Sequence, residues 1–72
     1  MSDEAMVTIE FYGDSLLETL IAAVDVPRKR YEESVKEIGA VLCRVRKADS
    51  IDAVILDGSG EQIDRDVVYR RR

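Results

Sequence analysis

Residues Ser15–Pro27 read SLLETLIAAVDVP, and the spacing of their leucines sets the order of the elements around them. Ser15 stands three residues before Glu18, the spacing of a capping box in which a hydroxyl and a carboxylate satisfy amide donors left open at a helix start. Leu16, Leu17, Leu20, Ile21 and Val24 then form one continuous apolar stripe at helical spacing, with Glu18 and Thr19 pointing away. The pattern predicts a helix over 16–25. Pro27 disfavours helical dihedrals at Val26 but suits the first turn of a new helix, so the chain is expected to turn at Asp25-Val26 and restart.

Upstream, Met6–Tyr12 is β-branched and aromatic, with Val7, Ile9 and Phe11 alternating against Thr8, Glu10 and Tyr12, the pattern of a half-buried strand. Downstream, Tyr31, Val35 and Ile38 line one face of a second helix whose other faces carry Glu32, Glu33, Lys36 and Glu37. Two continuations fit beyond Ile38. Gly39 can end the helix, with Val41, Cys43 and Val45 alternating in a strand against Leu42, Arg44 and Arg46. Alternatively Leu42 and Val45 extend the helical series through Gly39. The scarcity of strong helix formers over Val41–Lys47 favours the strand. Past the polar break at 48–50, Ala53–Leu56 is a short strand, Asp57-Gly58-Ser59-Gly60 a turn, and Gln62–Tyr69 the returning strand. The expected architecture is α+β: an N-terminal strand, two helices packed on one sheet face, and a C-terminal antiparallel hairpin or three-stranded meander. Residues 1–72 are expected to form one small domain with frayed ends at 1–5 and 70–72.

Composition narrows function by exclusion. The chain has 72 residues, 46% apolar and 36% charged, a formal net charge of −4, one cysteine and no histidine. A lone Cys43 cannot form an internal disulfide, and without histidine neither the usual zinc sets nor a Ser-His-Asp triad can be assembled. Gly58-Ser59-Gly60 lacks both a third spaced glycine and a Gly-Lys-Ser/Thr sequence, so it reads as a turn rather than a phosphate loop. Asp57, Glu61, Asp64 and Asp66 do not match a calcium-loop spacing. No cofactor, metal or small-molecule substrate is expected, and no enzyme activity. No run approaches 18 apolar residues and the N-terminus lacks a signal-peptide pattern, so the expected setting is the cytoplasm, away from membranes.

Charge is segregated: residues 1–27 hold six acids and no base, residues 28–47 seven bases and three acids, and residues 48–69 six acids against Arg65. Complementary blocks steer association and fix register. Tyrosine and arginine dominate interface energetics, which marks Tyr12, Arg28, Lys29, Arg30, Tyr69, Arg70 and Arg71 as partner-binding candidates. The expected function is a small non-catalytic module that regulates or inhibits a partner protein by covering its surface. Free-standing chains of this kind are often encoded by phages or mobile elements, so a host-directed inhibitor is one form of it. A homodimer is a further expectation, with the first strand as a self-pairing edge.

Residues 6–38, a short strand, a capped helix, a turn and a basic second-helix start, resemble the ribbon-helix-helix family of dimeric DNA-binding proteins. The resemblance implies paired strands in the major groove, with Thr8, Glu10 and Tyr12 toward bases and Arg28, Lys29 and Arg30 near phosphate. Glu10 and the appended C-terminal hairpin depart from the family pattern. A DNA-binding transcriptional regulator is the alternative reading.

Overall fold

The computed structural model describes residues 5–14, 16–46 and 50–70. Strand β1 (Met6–Tyr12) forms a hairpin with β2 (Leu20–Pro27); a 3-10 turn (Arg28–Arg30) leads into helix α1 (Tyr31–Arg46), and β3 (Ser50–Leu56) and β4 (Gln62–Arg70) form a second hairpin. The sheet is antiparallel, in the order β2-β1-β3-β4. The expected α+β class and C-terminal hairpin are present, in a four-stranded sheet with one helix rather than two.

The helix expected at 16–25 is corrected to a loop and a strand. Register places Val26, Val24 and Ala22 opposite Val7, Ile9 and Phe11, so the downstream half of the stretch has period two on the side facing the core. Leu16 and Leu17, which completed the helical stripe, lie in the loop, Leu16 at 75% exposure and Leu17 at φ 60°. That left-handed conformation strains a non-glycine residue by about 1–2 kcal/mol. The loop is held instead by Asp14, whose carboxylate accepts the Glu18 and Thr19 amides at 3.1 and 3.0 Å, while Gly13 N–H donates to the Thr19 carbonyl at 2.9 Å. The expected capping residue Ser15 lies outside the described residues. β1 is thereby an interior strand, paired on both sides, and not the edge expected from its sequence.

The lean toward a strand at 41–46 is also corrected, because α1 continues through Gly39 to Arg46; Lys47 lies outside the described residues. Gly39 is buried in mid-helix, not a C-terminal cap: a Cβ there would overlap Val68 Cγ1 of β4 and lie 3.1 Å from Val68 Cβ. Absence of a side chain is what lets helix and strand touch.

The core is Val7, Ile9 and Phe11 of β1, Ile51, Ala53 and Ile55 of β3, and Val35 of α1, with Ile38, Leu42, Cys43 and Val68 packed around it. Each fully buried large aliphatic or aromatic side chain contributes about 1.5–3 kcal/mol. The second hairpin turns at 57–61, where Asp57 Oδ1 accepts Ser59 N–H (2.9 Å), Ser59 Oγ–H (2.7 Å) and Glu61 N–H (3.0 Å), and Gly60 takes φ +90°. Those bonds favour the ionised Asp57 and hold its carboxyl below the ordinary value. Of the ends expected to fray, residues 1–4 and 71–72 lie outside the described residues, the Ala5 carbonyl accepts Arg28 N–H at 2.9 Å, and Arg70 pairs with Ser50.

Candidate interaction surfaces

A single helix is about 10 Å across and strands lie about 4.8 Å apart, so one helix covers about two of four strands. α1 packs most closely on β4. At the far side of the sheet, Ala22, Val24 and Val26 of β2 are only half-buried although they face the core. The flank of α1 turned away from β4 carries Val41 and Val45, one turn apart and 48% and 70% exposed. β2 is also the strand that α1 touches least. The 3-10 turn joining β2 to α1 carries Arg28, Lys29 and Arg30, all exposed, with Arg30 3.7 Å from Glu33.

On the opposite flank, between α1 and β4, lies a groove of about 510 Å³. Its floor is Val35, Cys43 and Val68; Lys36 and Arg44 rise from the helix and Asp66 from the strand. Burial pushes the Cys43 thiol up, which keeps it protonated and unlike an activated nucleophile. A smaller depression of about 240 Å³ continues toward the start of α1, bordered by Tyr31, Glu32 and Asp64. There Tyr31 donates its hydroxyl to Asp64 Oδ2 at 2.8 Å, which raises the Tyr31 pKa. The other Asp64 oxygen accepts the Arg65 amide at 2.8 Å.

The sheet face away from the helix is largely occupied with its own pairs. Thr8 donates to Asp25 at 2.7 Å, Tyr12 to Glu10 at 2.7 Å, and Arg65 Nη2 to Asp52 Oδ2 at 2.9 Å. The Glu10 carboxylate raises the Tyr12 pKa by accepting that bond. Asp52 is 1% exposed, and its Oδ1 has no hydrogen-bond partner among the described residues.

The residues singled out from sequence do not converge. Tyr12 lies opposite Asp52, at the sheet end where the backbone of Tyr69 and Arg70 pairs with Ile51 and Ser50; Arg28–Arg30 follow Pro27 at the other end. The side chains of Tyr69 and Arg70, and all of Arg71, lie outside the described residues. The strand-helix-helix order behind the ribbon-helix-helix resemblance is absent, since 20–27 is a strand. Sequence reasoning placed Val41 and Val45 in a strand, or Val45 on the buried helical stripe, and so did not find them as exposed residues on one helix flank.

Among the described residues no cluster of three or more metal-ligating side chains occurs, and no helix is long and apolar enough to cross a membrane. No protein-family model, curated protein or solved structure matches the chain.

Proposed function

We propose that this chain is a small, non-catalytic protein-interaction module, working in the cytoplasm as a regulator or inhibitor of a partner protein that docks on the exposed flank of α1 and the neighbouring strand β2. The observation that carries the reading is the exposure of Val41 and Val45 on α1, together with the incomplete cover of Ala22 and Val24 on β2. Exposed apolar side chains one helical turn apart, with a basic cluster on the turn that begins the helix, match the anatomy of a protein-docking surface. The basic turn between β2 and α1 selects an apolar segment terminated by acidic residues, with Arg28, Lys29 and Arg30 steering and fixing its register. The tyrosines and the C-terminal arginines are not needed for this contact.

The test is a comparison of partners retained by tagged wild-type chain and by Val41→Lys/Val45→Lys. Both sites are solvent-facing, so folding stability should change by no more than about 0.5 kcal/mol. A partner retained by the wild type and lost by the double variant supports the proposal. No retained partner, or equal retention by the variant, refutes it.

A further inference from the structure

We propose that β4 pairs antiparallel with β4 of a second copy across a two-fold axis, making an eight-stranded sheet. The inference is independent of the α1–β2 surface and of what binds there. β4 is an edge strand, exposed on both faces from Gln62 to Val67, and an unpaired edge is a template for another strand. The Asp64 carboxylate occupies the Arg65 amide. Pairing is therefore centred beyond it, at Val67–Val68, beside the larger groove.

Charge selects the occupant. Lys36 and Arg44 stand on the helix rim of that groove, and neither makes an ion pair with another described residue. The strand that complements them must be extended and acidic, and β4 itself carries exposed Asp64 and Asp66. Antiparallel pairing about Val67–Val68 brings Asp66 of each copy alongside the C-terminal half of the other copy's groove, next to Arg44. Asp66 of each copy then opposes Arg44 of the other, once on each side of the axis. Such an isologous contact closes on itself and stops at two. Ala40, small and on the same rim, leaves room for the second helix. The other edge, β2, holds only Asp25 as a charge and ends in Pro27, so it offers no comparable complement.

The test is the mass in solution against concentration, by light scattering or sedimentation, for the wild type, Arg44→Glu, Asp66→Arg and the two combined. The wild type should reach twice 8.1 kDa. Each single reversal should raise the dimer dissociation constant about tenfold or more, and the combined variant, which restores opposite charges across the axis, should recover it. A monomer at every concentration overturns the proposal. So does a dimer indifferent to the reversals, which would place the contact at β2 or on the exposed flank of α1, and so does failure of the combined variant to recover. Hydrogen exchange on the unmodified chain gives a second readout independent of the substitutions. Amides 66–70 should gain protection as the dimer forms, and protection gained in β2 instead counts equally against the idea.

Discussion

Replacing Gly39 by alanine tests the contact on which the helix-to-sheet geometry rests. At an exposed helix position the change would stabilise the chain by about 0.8–1.0 kcal/mol, since glycine loses more backbone entropy on folding. Here the new methyl would overlap Val68 Cγ1 and sit 3.1 Å from Val68 Cβ, so rotating the valine relieves only part of the clash. Overpacking of this kind costs about 1–3 kcal/mol beyond the propensity gain. The expected result is destabilisation by about 1–2 kcal/mol, lowering Tm by about 5–15 °C for a domain of this size. Urea unfolding followed by circular dichroism measures it. Val68→Ala removes both offending methyls, so the double variant should be more stable than the sum of the singles by about 1 kcal/mol or more. A Gly39→Ala chain more stable than wild type, or strictly additive effects, would show that α1 does not lean on β4 at this point.

Asp52 and Arg65 should respond unequally. Arg65→Met leaves a buried carboxylate with neither oxygen paired to that guanidinium and should cost about 2–4 kcal/mol, whereas Asp52→Asn keeps an acceptor for the half-exposed Arg65 and should cost under about 1 kcal/mol; equal losses in denaturant unfolding would contradict the burial assigned to the pair. The pH limbs carry two signs. Asp57 has a lowered folded-state pKa, so its contribution is present above the ordinary carboxylate value and lost as pH falls through the folded one. Asp57→Ala should therefore flatten the acid limb of Tm against pH. Tyr31 has a raised folded-state pKa, so its contribution is present below the ordinary tyrosine value and lost as pH rises through the folded one; Tyr31→Phe should flatten the alkaline limb, and an unchanged limb would remove the Asp64 bond. Asp14→Ala should cost about 1 kcal/mol by freeing two loop amides, as removing a helix cap does; no change in unfolding midpoint would mean the loop is held by something else.

What could be read in the chain was what short-range patterns encode. Val7, Ile9 and Phe11 alternate because β1 buries one face, and Asp57 to Gly60 turns because aspartate bonds its own backbone and glycine tolerates positive φ. The candidate surfaces were less legible. Arg28–Arg30 stood out as a cluster, yet their place on the turn between a strand and the helix depends on β2 being a strand. Val41 and Val45 look like ordinary helix positions until the sheet beneath proves twice as wide as the helix.

Where prediction failed, the competing signal was non-local. Residues Leu20–Ala23 favour a helix by intrinsic preference, but β1 offers an unpaired edge, and pairing Val24 with Ile9 and Val26 with Val7 buries more than an isolated amphipathic turn could. Gly39 looks the same in sequence whether it ends a helix or admits a neighbour, and only Val68, twenty-nine residues away, distinguishes the two. By itself the sequence determined the α+β class, the strand at Met6–Tyr12, the last hairpin and the absence of histidine chemistry, because those follow from composition and near neighbours. Tertiary structure alone decided that Leu20–Pro27 is a strand, that one helix serves four strands, and which flanks stay open, because a strand has no hydrogen-bond partners of its own until another strand lies beside it.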